Sequence, residues 1–149
     1  MNSTTELGFS SNGPADAETV AEFRNAFAQW LRANFALDAD RLSDVLLAVN
    51  EALTNAAEFA YVQAQQPGTM SVTARYDAAD RRLVAMVSDH GTWLEKTPDG
   101  KPNTRGRGIQ LMRALSDRVT IDRAASGTRV QLDFGDCPLI SQECYADSA

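Results

Sequence analysis

Glu51 and Asn55 form the first pair in this chain whose types and spacing could do chemistry together. They lie in the segment Val49-Asn50-Glu51-Ala52-Leu53-Thr54-Asn55-Ala56-Ala57-Glu58-Phe59-Ala60-Tyr61. Four residues apart on a helix, their side chains point into one space. A carboxylate can take a proton or hold a water, and an amide oxygen can hold a hard cation such as Mg²⁺. Read alone, the window is also an ordinary wet face. Val49, Leu53, Ala56 and Ala60 make an apolar stripe that continues Leu42 and Leu46, and Glu51, Asn55 and Glu58 fall opposite it.

Three later segments add to the pair. Ser88-Asp89-His90-Gly91 ends an apolar strand. A carboxylate there can accept hydrogen bonds from an exocyclic amine, and Gly91 lets the backbone approach a flat ring. Asp-x-Gly is also a common turn cap. Arg105-Gly106-Arg107-Gly108-Ile109 opens an amphipathic segment. Bare backbone N–H groups at a positive helix end suit phosphate, and Arg105 and Arg107 could fork onto its oxygens. A hinge with solvated arginines is the plainer reading. Ser126-Gly127-Thr128-Arg129-Val130 starts the last strand, where the Thr128 hydroxyl is either a base contact or simply a good strand residue.

In this order and spacing the four segments resemble the N box and the three glycine boxes of the GHKL (HATPase) ATP-binding superfamily. The likeness is closest to the small single-domain anti-sigma-factor serine kinases, and it runs from about Glu6 to Phe134. It implies the Bergerat-type fold and the cofactors ATP and Mg²⁺. By resemblance Asn55 holds Mg²⁺ and Glu51 is the general base toward a serine hydroxyl. Asp89, with Gly91 beside it, reads the adenine amine. Arg105, Gly106, Arg107 and Gly108 hold phosphate, and Thr128 reaches adenine. Glu58 is at most a supporting group. The resemblance also implies a homodimer and two protein partners: a sigma factor held inactive, and a STAS-domain anti-sigma-factor antagonist phosphorylated on serine or threonine. A non-catalytic nucleotide-dependent binding switch is the alternative, and a histidine-kinase catalytic fragment a third. Two departures stand out: Phe59 replaces a histidine of many relatives, and Thr92-Trp93 follow where another glycine is frequent.

These side chains need a scaffold. The chain has 149 residues, 44% hydrophobic and 23% charged, enough for one domain with a core. No apolar run approaches a membrane span, and the start lacks a secretory signal, so a cytoplasmic protein is expected. The net charge of −6 argues against direct nucleic-acid binding. Pro14–Tyr61 holds eight acidic and three basic residues, whereas His90–Arg113 holds five basic and two acidic, a local balance that suits a phosphate ligand. Cys137 and Cys144 fit no zinc pattern and receive no role.

The expected order is a disordered 1–5, a short edge strand over Glu6–Phe9, a turn at Ser10–Pro14, and a helix from about Asp16 to Asn34. Trp30 lies in that helix's apolar stripe. A helix from about Asp40 to Tyr61 follows, capped from Leu37–Asp40. Strands over Met70–Tyr76 and Arg82–Ser88 form a hairpin, the second central in the sheet. Gly91–Arg105 is a long loop, with Trp93 anchoring it. A helix over Gly108–Leu115 and a hairpin of Asp117–Asp122 with Thr128–Phe134 close the chain. The domain is expected over 6–136, with 137–149 a loose tail. Helices gathered on one face of a mostly antiparallel sheet give an α+β two-layer sandwich.

Overall fold

The computed structural model describes residues 7–60, 68–91 and 105–140, without the side chains of Phe59 and of residues 105–107. The expectations for residues 1–5, Tyr61, most of the 91–105 loop with Trp93, and Cys144 lie outside these residues.

Five strands form one antiparallel sheet in the order β1-β2-β3-β5-β4. They are β1 (Gly8–Pro14), β2 (Thr69–Asp77), β3 (Arg82–Asp89), β4 (Arg118–Ala124) and β5 (Gly127–Phe134). Three helices, α1 (Ala17–Asn34), α2 (Ala39–Phe59) and α3 (Arg105–Leu115), complete the expected α+β two-layer sandwich. Strand alternation explains the layering. Leu83, Ala85, Val87 and Asp89 of β3 are buried under the helices, while the residues between them are half-exposed on the other face. The same holds for Thr128, Val130, Leu132 and Phe134 of β5. β3 is the middle strand, as its apolar run predicts.

Both long helices start where a carboxylate can cap them. Asp16 Oδ1 accepts from the Thr19 N–H at 2.8 Å, which holds its carboxyl below the usual range. Asp38 Oδ1 accepts from the Arg41 N–H at 2.7 Å. α1 packs through Val20, Phe23, Phe27 and Leu31. Trp30, half-buried, joins a run of rings from Phe9 through Phe27 and Phe35 to Tyr76, with neighbouring centroids 4.9–5.8 Å apart.

Three expectations need correction. Ser10–Pro14 is not a turn: it belongs to β1, paired in register with Thr69–Thr73. Its Ser, Asn, Gly and Pro residues are turn formers locally, but an edge strand tolerates them because one side has no ladder to fill. α3 begins at Arg105, three residues before Gly108, so the glycines lie within its first turns. Cys137, expected in a loose tail, is fully buried in the core. The Tyr76 hydroxyl donates to the Cys137 carbonyl at 2.6 Å, the Cys137 N–H donates to the Arg81 carbonyl at 2.9 Å, and Leu139 bridges Phe35. Burial pushes both the Cys137 thiol and the Tyr76 phenol above their ordinary pKa values.

Candidate functional site

The site is built where three elements converge: the C-terminal half of α2, the first turns of α3, and the adjoining ends of β3 and β5. α2 lies between α1 and α3. The predicted Val49, Leu53, Ala56 and Ala60 are all buried, and Val45, Ala48 and Ala52 are buried as well, so the buried face is wider than the predicted stripe. The wider buried surface takes in Asn55. It is only 3% exposed, and Glu51 is half-buried beside it. Glu58 remains exposed.

Gly108 of α3 sits directly on this pair. A methyl group added there would lie 3.1 Å from Glu51 Oε2 and 3.3 and 3.4 Å from the Asn55 amide nitrogen and oxygen. The bare glycine therefore lets a helix begin against a carboxylate and an amide. The Asn55 amide nitrogen is buried and has no hydrogen-bond partner among the described residues. Such an orphan donor costs about 1–3 kcal/mol. It is the group a ligand's oxygen would satisfy.

Asp89 and Thr128 form the second half. They are cross-strand neighbours in the β3–β5 ladder, on the helix face, and both are 4% exposed. Asp89 Oδ1 accepts from the Gly91 N–H at 3.0 Å. The turn-cap reading and the buried-acceptor reading thus hold together, since a carboxylate has lone pairs for both. Gly91 joins the two halves. A side chain there would come within 2.0 Å of the Ala60 carbonyl at the end of α2. The chain leaving the Asp89 strand is thereby pressed onto the helix that carries Glu51 and Asn55.

Gly127, absent from the predicted site residues, is as tightly fixed. Its φ is +143°, and a side chain would meet the Asp89 carbonyl at 2.0 Å. It seats the start of β5 against the end of β3. The only sequence signal for it is its place between two strands in Ser126-Gly127-Thr128. Around these strand ends lies a polar pocket of about 230 Å³ reaching Ser88, Asp89, His90, Thr128 and Arg129. The predicted Arg105, Gly106 and Arg107 occupy the first turn of α3.

The described residues contain no group of three or more His, Cys, Asp or Glu arranged to hold a metal. No described helix is long and apolar enough to cross a membrane.

The fold is a Bergerat-type α+β scaffold. Residues 13–134 match the histidine kinase-like ATPase domain family, and the chain belongs to that family. Among solved structures, the fold is similar to that of the RsbU and RsbW domains of a Mycobacterium tuberculosis protein, with a TM-score of 0.66 and 22% identity. That match covers 89% of this chain and 32% of the other, so this chain spans about a third of that protein's length. The histidine kinase domain of a blue-light activated histidine kinase from Erythrobacter litoralis is also similar, at TM-score 0.48 and 19% identity over 88% of this chain and 64% of the other.

Proposed function

We propose that the protein is an ATP- and Mg²⁺-dependent protein serine/threonine kinase of the anti-sigma-factor type. In this reading it phosphorylates a STAS-domain antagonist and sequesters a sigma factor. The observation that carries it is the buried Asn55 amide, without a hydrogen-bond partner among the described residues, beside the Glu51 carboxylate and against Gly108 of α3. Family membership supports nucleotide binding; the serine/threonine acceptor and both partners are the finer part of the proposal.

The donor set suits a magnesium-held triphosphate. Asn55 offers an amide oxygen for a hard cation and an orphan N–H for a phosphate oxygen. Gly108 adds no side chain against Glu51 and Asn55, and the first turns of α3 present a positive helix end. Asp89 is a buried acceptor matched to an exocyclic amine, with Thr128 alongside. When bound, Mg²⁺ would supply charge neutralisation on the phosphates. The chain's own task is to position and to move one proton. An incoming serine hydroxyl loses its proton to Glu51. Its oxygen forms the new bond to the terminal phosphorus, and the bond from that phosphorus to the oxygen of ADP breaks.

The test is transfer of labelled phosphate from ATP to a STAS-domain acceptor. Glu51→Ala should retain ATP binding within about threefold and lose transfer by a factor on the order of a hundred or more, the range of a general base. Transfer surviving in that variant would place the base elsewhere. Binding without transfer in the wild type would leave a nucleotide-dependent switch.

A further inference from the structure

Strand alternation gives the adjoining ends of β3 and β5 an outer face as well as an inner one. Asp89 and Thr128 turn toward the helices, and their chain neighbours Ser88 and Arg129 turn away. The ladder carries that outer row onto β4: Ser88 lies opposite Arg129, and Arg129 lies opposite Asp122. Asp122 and Arg129 are both exposed. Opposite charges so placed ordinarily pair across strands. Here no ion pair or hydrogen bond joins their side chains, and neither side chain has another such partner among the described residues. The next ladder pair toward the strand ends is Ala124 with Gly127, which offer only a methyl group and a hydrogen. Gly127 has no substitute, since a side chain there meets the Asp89 carbonyl. The side chains therefore stop short, and a cavity of about 230 Å³ opens beside Arg129 and Asp122, lined also by Ser88 and the exposed His90.

We propose that this outer cavity binds a small zwitterion, a molecule whose carboxylate and ammonium groups sit on one carbon, as in a free α-amino acid. Arg129 takes the carboxylate with its planar fork, the Ser88 hydroxyl donates beside it, and Asp122 takes the ammonium. The two protein charges stand at directly opposed ladder positions, whose Cβ atoms lie about 4.5–5.5 Å apart, so one small ligand spans both. The cavity sets the size: its volume is below the roughly 300–1,000 Å³ of pockets for drug-sized ligands, which leaves room for a few heavy atoms. A simple anion would face the Asp122 carboxylate uncompensated, and a simple cation would face Arg129. The ligand lies on the other side of the sheet from Glu51 and Asn55, so the inference is independent of the phosphoryl-transfer reading.

Titration of the isotope-labelled protein with L-serine, followed by amide NMR shifts, is the experiment. Saturable shifts are expected at Ala124, Gly127 and Arg129. Serinamide, which lacks the carboxylate, and glycerate, which lacks the ammonium, should each bind about tenfold more weakly than serine, the scale of a lost hydrogen bond to a charged group. Arg129→Gln and Asp122→Asn, at exposed positions, should each weaken serine by a similar factor and leave ATP affinity unchanged. The same spectra show that each variant is folded. Added ATP should not displace serine. A protein that binds serine in this way but not ATP would sink the nucleotide reading and leave this one standing. Shifts that fail to saturate, equal binding of serinamide or glycerate, serine affinity indifferent to both substitutions, or competition with ATP would overturn the proposal.

Discussion

The two ends of the β3–β5 pair are closed by opposite means. At the Leu83–Phe134 end every device is satisfied within the chain. Arg41 donates to the Gly135 carbonyl at 2.6 Å and pairs with Asp117 at 3.6 Å, while its guanidinium lies over the Phe134 ring. The Gly135 N–H donates to Asp117, and the Tyr76 hydroxyl donates to the Cys137 carbonyl. At the Asp89–Thr128 end, three polar side chains are buried and one of them, Asn55, has an amide N–H without a hydrogen-bond partner among the described residues. Side-chain carbon is missing where Gly91, Gly108 and Gly127 touch their neighbours. One end spends its polar groups on holding the chain together; the other buries the Asn55 amide N–H with no partner among the described residues. Placing stability and recognition at opposite ends of the same strands lets the site carry an uncompensated group without loosening the sheet.

Substitutions that act at one end only would sharpen this contrast. The largest effect is expected from Gly127→Ala, which puts a side chain at positive φ against the Asp89 carbonyl. Destabilisation of about 3 kcal/mol or more, read by denaturant unfolding, should accompany loss of nucleotide binding. A normally stable Gly127→Ala protein would remove the close contact from the account. Tyr76→Phe at the far end should cost about 1–2 kcal/mol by leaving the Cys137 carbonyl unpaired, and nucleotide affinity should stay unchanged. Because burial raises the Tyr76 pKa, the hydroxyl's contribution should hold below the ordinary tyrosine value near pH 10 and fade as pH rises through the higher folded value. A change in nucleotide affinity in Tyr76→Phe would mean that the ends are coupled. Smallest is Asp38→Ala, which removes the α2 cap and should lower the melting temperature by an amount equivalent to about 1 kcal/mol. No measurable shift would show the cap to be replaceable by water.

Much of this site was legible because its chemistry sits on regular elements. Asp89 and Thr128 end and begin strands whose alternation places both on the helix face, and the register makes them neighbours. The burial of Asn55 was not legible. The periodicity of Leu42, Leu46, Val49 and Leu53 points away from it, because leucines outweigh alanines in any apolar stripe. In the folded chain Ala48 and Ala52 are fully buried in the core, and α3 covers the flank that carries Asn55. The edge strand β1 was hidden by turn-forming residues whose conformation is decided by the neighbouring β2 ladder. The burial of Cys137 was hidden as well, since a segment fixed by scattered tertiary hydrogen bonds has no period to read.

The central claim is that the Asn55 amide is held unpaired for a nucleotide's phosphates and their metal. Calorimetric titration of ATP into wild type and Asn55→Ala, with and without Mg²⁺, tests it most directly. Magnesium-dependent binding in the wild type, weakened by about a hundredfold in the variant, is predicted; that ratio corresponds to about 2.7 kcal/mol. The variant should unfold no more easily than the wild type, because an unsatisfied buried group has been removed. Equal affinity in the two proteins would contradict the assignment of Asn55, and a marked loss of stability would show its amide to be structural.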